Sequence, residues 1–146
     1  MAGPYAVDAS VFLNAFNPGE VGQADSNRFL SWLQTQAIPT IAPTLLLPEV
    51  SAAISRGRQD ANLARAFANT LSRLPHLILV PLDSTLAQQA AEVAAQHRLR
   101  GSDAVYAAVA LRFGSPLVTL DREHKERIAK VLVTSTPADV LKTLTG

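Results

Sequence analysis

Cysteine is absent from the 146 residues, which excludes a disulfide framework and any zinc site built on thiolates. An excess of charge of one sign is missing too: 13 Lys and Arg against 12 Asp and Glu leave a formal net charge of +1. That balance excludes a protein that coats polyanions through bulk charge. Long hydrophobic runs are also lacking. Leu45-Leu46-Leu47 and the stretch from Leu77 to Leu82 are interrupted by Pro48-Glu49 and Pro81-Asp83, far short of the ~20 residues that span a bilayer. Met1-Ala2-Gly3-Pro4-Tyr5 has no basic segment ahead of an apolar one, so no secretory signal is expected and a soluble, cytoplasmic protein is. No repeat, low-complexity tract or linker is visible. The Gly-x-Ser-x-Gly elbow and the glycine-rich phosphate loop are missing as well.

What is present is core material. Hydrophobic residues make up 48% and charged residues 17%, a composition that folds, and the length suits one domain spanning 1–146. Short β-like runs alternate with longer helical patterns. Strands are expected at Tyr5 to Asp8, Thr40 to Ala42, Leu77 to Pro81, Pro116 to Leu120 and Val131 to Val133. Helical patterns cover Ser10 to Phe16, a segment capped by Asp25 or Ser26 and carrying Phe29, Leu30, Trp32 and Leu33, and Thr44 to Ser55, with Pro48 in its first turn or at a kink. Others run from Asp60 to Leu74, from an Asp83-Ser84-Thr85 cap to His97, from Gly101 to Phe113 with Ser102 as cap, from Asp121 to Lys130, and from Pro137 to Leu144. Strands separated by helices imply an α/β domain: a parallel five-stranded sheet between two layers of helices.

In such a sheet, ligands bind beyond the carboxyl ends of the strands where the strand order reverses. Asp8, Asp83 and Asp121 each follow a strand. Asp also caps helices, and Asp83 reads as a cap alone. Glu49 stands in the largely apolar Leu45-Leu46-Leu47-Pro48-Glu49-Val50, where a charge needs a partner or a metal. Asp103 opens a helix otherwise free of acids, where it suits the helix dipole.

Taken together, Val7-Asp8-Ala9-Ser10-Val11-Phe12-Leu13, Pro48-Glu49-Val50-Ser51-Ala52-Ala53-Ile54, Ser102-Asp103-Ala104-Val105-Tyr106-Ala107-Ala108 and Leu117-Val118-Thr119-Leu120-Asp121 resemble the four acidic motifs of the PIN-domain nucleases. The likeness runs nearly end to end. In length and style the chain looks most like the VapC-type toxins of toxin–antitoxin pairs. The resemblance implies strand order 3-2-1-4-5, with Asp8 and Asp121 ending the two strands at the reversal. It implies Asp8, Glu49, Asp103 and Asp121 as catalytic and metal-binding residues. Ser10 and Thr119 match positions that usually carry small hydroxyl residues, and would orient the carboxylates or a bound water. It further implies an antitoxin partner covering the site, and a homodimer. Two features depart from the pattern: Pro48 directly precedes Glu49, and Arg122-Glu123-His124 follows Asp121 where many relatives carry a further Asn or Asp. Glu123 reads as a solvated helix residue.

Four converging carboxylates repel one another, and a divalent cation removes that penalty. All-oxygen ligation points to one or two Mg²⁺ or Mn²⁺ ions. The expected reaction is hydrolysis of an RNA phosphodiester by a metal-activated water, with Glu49 either ligating or holding that water. Ten of the thirteen basic residues are Arg. Arg56, Arg58, Arg98, Arg100 and Arg122, with Lys125, Arg127 and Lys130, flank the acids and could position phosphates, or simply form solvated helix faces. His76, His97 and His124 lack ligand spacing and read as structural. Trp32 reads as packed on a helix face, or as part of a groove for a partner helix where it is exposed. An Asp-nucleophile phosphohydrolase would want a second Asp where Ser10 stands, and a receiver domain would want paired acids after the first strand. The alternatives that survive are a fold-sharing binding module without catalysis and a housekeeping RNA or DNA nuclease.

Overall fold

Short apolar runs that lead straight into helical sequence cannot close hairpins, so they pair in parallel. The computed structural model describes residues 3–145; Met1, Ala2 and Gly146 of the expected 1–146 domain lie outside the described residues. Its first half comprises β1 (Tyr5–Val7), α1 (Ala9–Phe16), α2 (Gln23–Thr35), β2 (Thr40–Pro43), α3 (Leu46–Arg58), α4 (Ala61–Ser72) and β3 (Leu77–Val80). The second half comprises α5 (Ser84–His97), α6 (Gly101–Arg112), β4 (Leu117–Val118), α7 (Arg122–Ile128), β5 (Thr134–Ser135) and α8 (Pro137–Thr145). Among the described residues, the strands form one all-parallel sheet in the order β3-β2-β1-β4-β5, as expected.

Right-handed crossovers send α1 to α4 to one face of that sheet and α5 to α7 to the other. The packing agrees: α1 lies against α2 and α3, α3 against α4, and α5 against α6. Central β1 sets Ala6 opposite Ile41 on one side and Leu117 on the other. Above it, every residue of α6 from Ala104 to Ala110 is buried. Its run of Ala lets the helix approach both the sheet and α5, at the expense of any polar face. On the opposite face Tyr5 packs edge-on against Phe29 and Trp32 of α2.

Several boundaries differ from the sequence expectation. The last strand is Thr134–Ser135, not Val131 to Val133; Val131 and Val133 are 44% and 70% exposed, and ladder pairing with β4 starts only at the Val133 carbonyl. The fourth strand is likewise shorter than Pro116 to Leu120. Helix α2 starts at Gln23 behind Gly22, whose φ of +87° suits glycine, and a Cβ there would sit 3.4 Å from Asn14 Oδ1. Neither Asp25 nor Ser26 is therefore the cap. Ser26 is fully buried and donates to Asn14 Oδ1 at 2.6 Å. At α6 the N-cap is Arg100, and Ser102 falls inside the first turn. Pro48 is the third residue of α3, where no N–H is needed. The Glu49 N–H bonds back to Leu45 O at 3.2 Å and the helix continues to Arg58, so Pro48 does not break it.

Candidate active site

The sheet order reverses between β1 and β4, and the residues just past those strands are Asp8 and Thr119 to Asp121. Asp8 occupies the N-cap position of α1, yet its side chain makes no cap hydrogen bond. It is 7% exposed, and its Oδ2 accepts from Ser10 Oγ at 2.7 Å and from Thr119 Oγ1 at 3.0 Å. Both hydroxyls are themselves fixed by backbone. Ser10 Oγ accepts from the Leu120 N–H at 3.1 Å, and Thr119 Oγ1 from the Asp121 N–H at 3.1 Å. The loop after β4 thus orients two hydroxyls that must donate to a single carboxylate oxygen.

The other strand-end acids behave differently. Asp83 caps α5 by accepting from the Leu86 N–H at 2.9 Å, as read from sequence, and its strand lies at the sheet edge. Asp121 caps α7 through Oδ1, which accepts from the His124 N–H at 3.1 Å. Its Oδ2 is left for Arg100, whose Nη2 lies 2.8 Å away. The same guanidinium donates from Nε to Asp103 Oδ2 at 3.0 Å, so one arginine spans the acids that open α6 and α7.

Glu49, in the first turn of α3, is the fourth acid. Burial raises its pKa above the ordinary 4.5, and the charges of Asp8 and Asp103 raise it further, while the hydrogen bond from Tyr106 opposes them. That bond, Tyr106 Oη to Glu49 Oε1, is 2.6 Å long. Burial and the Glu49 contact also push the Tyr106 phenol far above its usual range, so toward Glu49 it acts as the donor. Asp8, Glu49 and Asp103 therefore share one electrostatic field, and Arg100 ties Asp121 to it.

The donor set is carboxylate oxygen, which suits a hard divalent cation. Burial of the Glu49 carboxylate, with added repulsion from Asp8 and Asp103, is the stress such a charge relieves. Among the described residues no three Asp, Glu, His or Cys side chains converge closely enough, as placed, to ligate one ion. Arg100 instead supplies the positive charge between Asp103 and Asp121. The residues fit a divalent cation in chemistry and charge, with side-chain rotation needed to close the ligand set.

The expected phosphate-binding arginines divide. Arg100 joins the acids. Arg58 lies at the far end of α3, roughly 13 Å along the helix from Glu49, where it donates to Asn17 Oδ1 at 3.1 Å and stacks over Phe16. Arg56 and Arg122 are exposed. Arg98 is exposed at the end of α5, and its carbonyl accepts from Arg127. Lys125 pairs with Asp139 at 3.2 Å, and exposed Glu123 pairs with Arg127, the solvated role read for it. His76 is exposed and His97 half-buried.

Tyr106 and His124 are the side chains whose place at this site the sequence reading missed. Tyr106 lies one turn after Asp103 and is the lone hydroxyl in the Ala104–Ala110 run, a detectable signal. His124, read as structural, is buried with its Nδ1 3.8 Å from Asp103 Oδ1. Trp32 stays half-buried and lines a surface hollow with Asn27, Ser31 and Leu141.

Residues 5–130 match the PIN domain family. No curated protein matches the sequence. Among solved structures, the fold is similar to VapC20 of Mycobacterium tuberculosis, a sarcin–ricin loop cleaving toxin, with TM-score 0.70 and 19% identity over 88% of this chain and 96% of that one. It is also similar to VapBC2 of Rickettsia felis, solved bound to a DNA fragment from its promoter, with TM-score 0.69 and 12% identity over 91% and 98% of the two chains. A toxin–antitoxin complex from Klebsiella pneumoniae gives 0.63 and 16% over 93% and 98%.

Proposed function

This chain belongs to the PIN domain family, and from that premise we propose that it is a metal-dependent endoribonuclease, the toxin of a toxin–antitoxin pair. The observation that carries the reading is Asp8, a buried carboxylate at the reversal of the strand order. Two backbone-anchored hydroxyls hold it, and its charge, with that of Asp103, adds to the burial that chiefly raises the pKa of Glu49. A capping aspartate needs none of this.

Asp8, Asp103 and Asp121 would hold Mg²⁺ or Mn²⁺, which when bound lowers the pKa of the attacking water and neutralises the leaving oxygen. The protein does the rest. Ser10 and Thr119 fix one oxygen of Asp8 and so aim the other. Glu49, kept in place by Tyr106, ligates or orients the water. Arg100 exchanges its carboxylate contacts for a phosphate of the substrate, and exposed Arg56, Arg98 and Arg122 extend a basic surface for RNA. The sarcin–ricin loop cleavage by the M. tuberculosis toxin of similar fold supports an RNA substrate. The toxin–antitoxin complexes of similar fold support an antitoxin partner. The reading takes the chain as one domain that acts in the cytoplasm as a homodimer. Among the described residues no helix is long and apolar enough to cross a membrane.

The test is incubation of the purified chain with a cellular RNA pool in Mg²⁺, Mn²⁺ or EDTA, beside Asp8→Asn and Asp103→Asn. Discrete fragments are expected with metal only, and from neither variant. A folded, antitoxin-free protein that cuts nothing with either metal overturns the reading and leaves a binding module.

A further inference from the structure

His124, the third residue of α7, is 1% exposed, and neither ring nitrogen has a hydrogen-bond partner. A neutral imidazole carries one donor and one acceptor, and a dry core disfavours both when unpaired. For packing alone an apolar side chain would serve better, as Ile128 does one turn on, fully buried. The ring faces the acids. Its Nδ1 lies 3.8 Å from Asp103 Oδ1, and its backbone N–H donates to Asp121 Oδ1 at 3.1 Å. The other oxygen of Asp103 takes Arg100 Nε at 3.0 Å, from a side chain that is 72% exposed. Asp103 thus stands between an arginine on the solvent side and a histidine on the core side.

The 3.8 Å gap lies just beyond a hydrogen bond. A small rotation of the Asp103 carboxylate closes it once Arg100 lets go. Being buried, His124 cannot meet RNA and must act through another group. We propose that His124 is a positioning residue for Asp103: its Nδ1–H donates to Oδ1 and turns the other oxygen toward a bound divalent cation. The role is one of orientation, and no proton is transferred. The inference rests on the metal-dependent reading above.

Mn²⁺ titration of the full chain, followed by the electron paramagnetic resonance signal of free Mn²⁺, tests it alongside thermal unfolding in EDTA. His124→Leu is expected to bind Mn²⁺ about 10- to 100-fold more weakly than wild type, while unfolding in EDTA at the same or a higher temperature. His124→Asn, which keeps a donor near the Nδ1 position, is expected to recover most of the affinity. Equal affinity in His124→Leu and wild type overturns the proposal, as does affinity that falls only in step with stability in both variants. A wild-type protein that binds no Mn²⁺ overturns the metal-dependent reading itself, and this inference with it.

Discussion

The Tyr106 hydroxyl reaches Glu49 across 57 residues of sequence, donating to Oε1 at 2.6 Å and tying the middle of α6 to the first turn of α3. It is the stabilising contact of a carboxylate that burial and two neighbouring acids all disfavour in its charged form. Removing it leaves those opposing effects unbalanced. Tyr106→Phe is expected to raise the Glu49 pKa further in metal-free protein, read by carbon NMR of the labelled carboxyl group. It should also destabilise the fold by about 1–3 kcal/mol, the usual cost of an unsatisfied buried acceptor. An unchanged Glu49 titration would show that the contact does not control its charge.

The raised Glu49 pKa has a defined consequence for stability. In the unfolded chain Glu49 titrates near its ordinary 4.5, and in the folded chain above it. Between those values the native state binds more protons than the unfolded state, so this group's contribution to stability falls as pH rises through the window. Above 4.5 the cost of charging Glu49 in its buried site works against the metal-free fold. Glu49→Gln keeps the acceptor for Tyr106 and removes the charge. It is expected to be more stable than wild type toward urea at pH 7 in EDTA, with the difference vanishing below pH 4.5. A variant less stable at pH 7 would reverse the sign argued here.

Ser10 and Thr119 donate to the same Asp8 oxygen, so their effects should not add. Ser10→Ala and Thr119→Val are each expected to lower kcat/KM on RNA by roughly 10- to 100-fold, the range for groups that orient a ligand. The double variant should lose less than the product of the two, because the first loss already frees the carboxylate. Strictly multiplicative losses would mean that the hydroxyls act independently.

Arg100 holds Asp103 and Asp121 in the free protein, where it competes with any cation those acids bind. Arg100→Ala is expected to bind Mn²⁺ more tightly in the absence of RNA. RNA affinity should weaken, and the salt slope of RNA binding should fall by about one. Fluorescence anisotropy across a salt series reads the slope, and an unchanged slope would remove Arg100 from the phosphate contacts.

Much of this arrangement is legible in the linear sequence. Alternation of apolar runs and helical periods gives the parallel sheet, while the strand order, with Asp8 and Asp121 ending the strands at its turn, comes from the resemblance to the PIN-domain nucleases. Local signals also separate Asp83, with Ser-Thr behind it and no acid nearby, from the others. What the sequence hides depends on distant partners. Val131 and Val133 look more strand-like than Thr134 and Ser135, yet an edge strand is defined by what β4 offers it, and β4 pairs with the polar residues. Ser26 resembles a helix cap until Asn14 is found beside it. His124 shows only a three-residue spacing from Asp121, and its approach to Asp103, 21 residues earlier in the chain, appears only in the folded structure.

The central claim is that water, activated at the four acids, attacks the RNA phosphorus. A single-turnover digest in H₂¹⁸O with Mn²⁺, followed by mass spectrometry of the fragments, tests it most directly. The account predicts one ¹⁸O in the terminal phosphate of the product, no 2′,3′-cyclic phosphate, and continued cleavage when the nucleotide at the cut site lacks its 2′-hydroxyl. Unlabelled cyclic phosphate ends, abolished by that 2′-deoxy substitution, would contradict it.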